Sequence, residues 1–317
     1  MTAVSFPRSN ATQGILLVSF GIGLFSLQDV IVKQISGGYP VHQIVFLRSV
    51  IALALLLAMM WQRRTLSTLQ TNKLNHHALR GMLLVASYIS YYLAIAALPL
   101  AEAVAIYFVS PIFVALLSIL ILKEQAKRAH AIALILGFSG TLIMMRPGVG
   151  VFEPAALFAI GAALTYALSV VMTKRMASTE SGMTMSVYST LAYLISTGIA
   201  GVFIGRGVAT DSTHPSIEFL TRPWAMPSTF DLTLIVVTGA IAAVGFFCLA
   251  EAYRVADATT VAPFEYVMLP LSIVWGFLFW GEVPDAFVLT GVLLIIGGGM
   301  TLLPARSQQR RGFLLRR

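Results

Sequence analysis

Charge is scarce in this chain. Only 11% of its 317 residues are Asp, Glu, Lys or Arg, against 58% hydrophobic, where soluble domains carry about 25% charged residues. A water-soluble globule is excluded. Cysteine occurs once, at Cys248 within an apolar run, so no intramolecular disulfide can form. Catalytic signatures are also missing. The five histidines, His42, His76, His77, His130 and His214, lie mostly in loops or near the ends of apolar runs, with no HExxH, no nucleophile elbow and no metal-spaced cysteines. A membrane-embedded enzyme would need such converging groups, so no catalytic residue, metal or cofactor is expected. No ring of like charge or filter loop suggests a channel. Gly297, Gly298 and Gly299 lack the following lysine or serine of a phosphate loop. They read instead as sites of close helix contact, as do Gly201 and Gly205 through their GxxxG spacing.

What the chain does have is long apolar runs, each near the roughly 20 residues that a helix needs to cross a bilayer. Ten can be marked, at about 13–33, 41–60, 79–99, 102–122, 129–146, 154–173, 183–205, 232–250, 260–281 and 285–303. The longest connection, from Arg206 to Phe230, is mixed and proline-containing rather than domain-like. The first run is too long, and too polar at Gln28 and Asp29, for a cleavable signal peptide, and is expected to stay as the first span. No lipidation motif is recognisable.

The net charge of +8 follows topology, not nucleic acid. Arg8, Arg63, Arg64, Lys73, Arg80, Lys123, Lys127, Arg128, Lys174, Arg175, Arg254 and the basic tail all fall on one side of the ten-span arrangement. The other side holds only Lys33, Arg146, Arg206 and Arg222. The positive-inside rule then places both termini in the cytoplasm, which requires an even number of spans.

The two halves resemble each other. YYLAIAALPLAEA (91–103) lies against FFCLAEAYRVADA (246–258). The runs that follow end at Glu124 and Glu282, each with a proline a similar distance before the acid, and FSLQDVIVK lies against TYALSVVMTK. Each half holds five spans, and five is odd, so the second half enters the membrane from the opposite side. Inverted repeats of this kind place a substrate site near the midplane between the halves.

These features resemble the drug/metabolite transporter superfamily, in particular its ten-span members with two EamA-type repeats. The resemblance rests on the LPLAEA and YRVADA junctions, the runs ending KE and GE, and the closing spans LILGFSGTLIMMRP and LTGVLLIIGGGMTLLP. It implies an all-α integral membrane fold, with repeats at residues 13–147 and 153–304. The stretch FSLQDVIVKQISGGYPVHQIVFLRS looks closest to the branch with S-adenosylmethionine and riboflavin carriers and some metallophore exporters.

An ionisable group inside a span costs about 2.5 to 3.5 kcal/mol on insertion scales, so it is paired, cavity-facing or functional by default. Glu265 is the first such group. Helical spacing puts Met268 or Leu269, Ser272 and Gly276 on its face, and Tyr107 takes the equivalent place in the other half. In low dielectric its carboxyl would hold a proton, a substrate amine or a structural hydrogen bond to a neighbouring helix. Pro270 is expected to kink this span. Asp29 and Lys33, one turn apart, can form an ion-paired trio with Arg48, either as a fixed bridge or as an outer gate. The SYISYY cluster offers Tyr88, Tyr91 and Tyr92 for stacking on a flat substrate or for packing. Tyr166, Ser169, Tyr188 and Thr190 are further pathway candidates. Glu102, Asp257, Glu124 and Glu282 read as structural marks of span boundaries.

The expectation is therefore an inner-membrane secondary carrier or facilitator of a small polar or amphoteric metabolite, working by alternating access. Export of drugs or metallophore-like compounds is the alternative. Expected partners are the small-molecule substrate and the lipid bilayer; a coupling proton and a second copy of the chain are also compatible with the sequence, and nucleic acid is not expected.

Overall fold

The computed structural model describes residues 11–123, 128–145, 153–208 and 214–301. Among these residues every regular element is helical, as hydrocarbon demands: with no water to satisfy backbone groups, each segment must bond to itself. The first half runs through α1 (Ala11–Ile35), α2 (Val41–Gln62), α3 (Leu74–Ala97), α4 (Leu100–Tyr107), α5 (Ser110–Leu122) and α6 (Arg128–Met145). The second has α7 (Ala155–Met176), α8 (Gly182–Ile204), a short α9 (Pro215–Thr221), α10 (Thr229–Val255), α11 (Ala258–Val261), α12 (Met268–Trp280) and α13 (Ala286–Thr301). Among the described residues seven segments are long and apolar enough to cross a membrane, one of them Glu102–Leu122, with shorter apolar helices over Phe264–Trp280 and Ala286–Gly298.

Two apolar runs are broken, at corresponding places. Residues 108 and 109 separate α4 from α5, just ahead of Pro111, and a 3₁₀ turn over Ala262–Val267 separates α11 from α12, just ahead of Pro270. Proline cannot donate to the carbonyl four residues back, so helical bonding fails immediately upstream of it. The irregularity therefore lies just upstream of Pro270, within the span expected to be kinked by that proline. The helix ends also correspond. Leu98 and Ala256 close α3 and α10 in extended conformation, and Lys123 and Gly281 close α5 and α12 in the left-handed region, at φ 57° and 65°.

Packing between the halves is reciprocal. α1 lies on α10 and α3 on α7; α2 packs on α8, α4 on α12 and α6 on α13. Each first helix thus meets the third helix of the other half, and like meets like elsewhere, as a two-fold relation requires. Close approach of α1 and α10 needs small residues: a Cβ on Gly245 would stand 2.7 Å from the Phe25 ring. α13 packs closely on α6, while two of the glycines expected at helix contacts meet something else or nothing. Gly201 seats the Trp224 indole rather than a helix, and a Cβ on Gly297 would meet nothing within 4 Å.

The outer surface is apolar, with Leu16, Phe20, Leu120, Ile195, Val202 and Leu293 exposed, while Arg48, Arg80, Asp29, Glu265 and many hydroxyls are buried. Polar groups gather inside because they cannot face lipid. The end reached by the C-termini of α1 and α3 is termed the far end, and the opposite one the near end. At the far end Ser216 Oγ donates to Leu93 O (2.6 Å) and Tyr39 OH to Asp231 Oδ2 (2.8 Å), tying the connection around α9 across the bundle. Arg8, Glu124, Lys127, Arg146 and the basic tail lie outside the described residues.

Candidate functional site

Helical spacing puts Leu84, Ser87, Tyr88 and Tyr91 along one stripe of α3, and this stripe faces a cavity of about 110 Å³. That volume accepts several waters or a compact polar group. The walls come from α1, α3, α7, α8 and α10, with Tyr107 of α4 and Met268 of α12 closing one side.

Asp29, on α1, is 3% exposed. Its Oδ2 accepts from Tyr91 OH and its Oδ1 from Tyr92 OH, both at 2.7 Å. Gln28 Nε2 donates to Tyr92 OH (3.1 Å) and Tyr88 OH (3.2 Å), and Gln28 Oε1 accepts from Arg48 Nη1 (2.9 Å). The Arg48 guanidinium lies 3.8 Å over the Tyr88 ring and is fully buried. Its charge is met by an aromatic face and an amide oxygen.

The expected Asp29–Lys33–Arg48 trio does not form. Lys33 Nζ pairs with Glu282 Oε1 (2.9 Å) and donates to Leu98 O (3.2 Å) at the far end. The reason is solvation. Two tyrosine hydroxyls satisfy Asp29 without drawing an ammonium into the core, and the flexible lysine stem carries its charge to the helix end. Glu282 does more than mark a boundary, since its Oε2 also accepts the Leu100 N–H (3.0 Å) at the start of α4. In the second half Lys174 Nζ likewise donates to the carbonyl of Ala256 (2.6 Å) and lies 3.5 Å from Asp257 Oδ1.

Glu265 is 1% exposed and sits on the 3₁₀ turn. Its Oε1 accepts from Tyr166 OH (2.6 Å) of α7 and from Tyr253 OH of α10. Both tyrosines line the cavity, and Glu265 stands behind them. Tyr107 connects the two acidic clusters: its ring is 4.8 Å from that of Tyr91 and 5.9 Å from that of Tyr166. Aromatic hydroxyl side chains therefore run continuously from Asp29 to Glu265.

The other candidates divide. Ser169 lines the cavity and donates to Tyr166 O (2.7 Å). Ser272 is buried but donates within its own helix to Leu269 O (2.8 Å). Thr190 donates to Ser186 O (2.9 Å) within α8, away from the cavity. Tyr188 belongs to the near end, where its OH donates to Leu69 O (2.7 Å) and its ring stacks on His77 at 4.2 Å.

Arg80 is the main residue that sequence reasoning misplaced. Counted there among the charges that flank the spans on one side, it lies in α3, 5% exposed, and lines the cavity. α3 starts at Leu74, ahead of the apolar run, so Arg80 joins the stripe of Leu84, Ser87 and Tyr91 at helical spacing. Extending the periodicity upstream would have found it. Tyr193 and Phe246, which flank Arg48 at 5.2 and 5.5 Å, carried no such signal. Among the described residues no cluster of three metal-ligating side chains occurs.

A profile of the EamA-like transporter family matches residues 12–146 and again 153–303. The S-adenosylmethionine uptake transporter of Rickettsia conorii is 26% identical over 87% of this chain and 90% of its own. The riboflavin transporter of Vibrio cholerae is 29% identical over 83% of each. The pseudopaline exporter of Pseudomonas aeruginosa is 28% identical over 89% of this chain and 93% of its own. A solved crystal structure superposes with a TM-score of 0.71 at 18% identity, covering 96% of this chain and 99% of that one, a likeness of fold alone. These names are of transporters, not enzymes. With both halves matched by the same profile, the chain belongs to the EamA-like transporter family.

Proposed function

We propose that the protein is an inner-membrane secondary carrier of a small amphoteric organic metabolite. The repeats at residues 13–147 and 153–304 rock against each other about the central cavity. The observation that carries this reading is the shared cavity itself: α1 and α3 of one half and α7, α8 and α10 of the other line one tyrosine-rich chamber. Cross-half ties stand at both ends, Lys33 to Glu282 at the far end and Lys73 Nζ to Thr179 Oγ1 (2.9 Å) at the near end. A carrier needs to break one set while the other holds.

In this reading the near end is cytoplasmic, as the lysine and arginine distribution supports. The tyrosines contact the flat or polar body of the substrate, and Asp29 and Glu265 exchange protons or a substrate cation through the hydroxyls that hold them. The names of the relatives include both uptake and export, and the direction follows the coupling.

The test uses proteoliposomes with labelled S-adenosylmethionine and labelled riboflavin. Saturable uptake that accelerates when unlabelled substrate is loaded inside is expected for at least one. Flux that rises linearly with concentration and shows no exchange would mean a channel.

A further inference from the structure

We infer that Arg80 is the anion-binding group of the transport cavity, and that the substrate carries a carboxylate at the end away from the Asp29 tyrosines. The inference rests on the transport reading and deepens it.

A guanidinium has five N–H donors. Arg80 uses three, with Nε donating to Thr173 Oγ1 (2.6 Å) and Nη1 to Ser189 Oγ (2.6 Å) and Met185 O (3.0 Å). Both Nη2 donors are without a protein partner among the described residues, on a side chain that is 5% exposed and lines the cavity. All three partners are neutral. The nearby acid, Glu180, is engaged elsewhere: Oε1 accepts from Thr71 Oγ1 (2.7 Å) and Oε2 lies 3.2 Å from His77 Nε2. A buried cation without a counter-charge is costly; the Arg48 guanidinium has aromatic faces over it, and among the described residues Arg80 has none. Arg80 is instead anchored on one edge by neutral groups, with its other edge presented to the chamber.

Charge stoichiometry selects the ligand. One guanidinium neutralises one carboxylate, commonly through two parallel bonds; a phosphate monoester dianion would leave excess negative charge in a low-dielectric site. Geometry selects the shape. Arg80 and Tyr91 are three turns apart on α3, about 16 Å along the axis. A simple α-amino acid, with adjacent charges, cannot span that distance. An elongated molecule can.

The test is thermal unfolding of the full-length purified protein with 12-aminododecanoate, whose charges stand at the two ends of a chain long enough to reach across three helical turns, against 12-aminododecanamide, which lacks the anion. A ligand that binds only the native state raises Tm with concentration. The acid is expected to stabilise the wild type at a concentration at least tenfold below that needed by the amide. Arg80→Gln should abolish this preference and Arg80→Lys should keep part of it. If Arg80→Gln does not fold, Arg80→Lys alone decides, since a changed guanidinium must weaken the preference measurably. Equal stabilisation by acid and amide, no stabilisation by either, or a preference unchanged in the variants overturns the assignment. Labelled flux in the same preparation separates the two claims. Saturable flux without an acid preference sinks the Arg80 site alone; an acid preference with only non-saturable flux sinks the carrier reading and keeps the site.

Discussion

Replacing Glu282 by Gln should open the far end of the cavity. The Lys33–Glu282 pair joins the first half to the second, so it exists only while that end is closed. Gln keeps an oxygen for the Leu100 N–H but loses the charge facing Lys33 at 2.9 Å. The side chains are 14% and 22% exposed, between the surface case of about 0.2–1 kcal/mol and the buried one of about 3–5 kcal/mol. A loss of about 1–2 kcal/mol follows, equivalent to a factor of about 5–30 in a two-state population. The assay is labelling of a Ser87→Cys reporter, which lines the cavity, by a membrane-impermeant thiol reagent added outside intact cells, with Cys248→Ser removing the native thiol. The labelling rate should rise by that factor in Glu282→Gln and in Lys33→Gln, and no further in the double variant, because one interaction cannot be lost twice. An unchanged rate, or two effects that multiply, would refute the latch.

Glu265→Gln should remove stimulation of uptake by an imposed proton gradient while leaving substrate exchange measurable in proteoliposomes; equal loss of both would make Glu265 a substrate contact or a packing residue. Gly81→Val places a Cβ 2.5 Å from that of Ala192, and should cost about 1–3 kcal/mol by overpacking α3 against α8, read as a lower Tm. Gly161→Ala, where a Cβ meets nothing within 4 Å, should leave Tm nearly unchanged. At the far end the His214 hydrogen bond (2.7 Å) holds the Glu153 carboxyl below its ordinary pKa. A depressed carboxyl contributes stability above its unfolded pKa and loses it as pH falls through the lower folded value. Protection of residues 214–222 against hydrogen exchange, taken relative to the intrinsic rate at each pH, should therefore be steady near pH 6 and fall only below about pH 4; a fall already between pH 6 and 5 would assign the tie to another group.

The membrane class, the approximate position of ten apolar runs and the antiparallel sense of the halves were legible in the sequence, because hydropathy over some twenty residues, the sign of flanking charge and parity are local or additive properties. The broken runs were half legible: Pro111 and Pro270 announced an irregularity, but its position upstream depends on which carbonyl loses its donor. Asp29 and Glu265 stood out as buried acids for the same reason of transfer cost. Their partners did not. Lys33 was read with Asp29, four residues away, yet it pairs with Glu282, 249 residues away. Arg80 was counted among the flanking charges because hydropathy marks the edge of an apolar run and not the start of a helix. Hydropathy alone requires that the polar groups of lipid-spanning segments be buried and satisfied there. Which groups meet is set by the packed bundle, since the rotation and contact of each helix fix the partner.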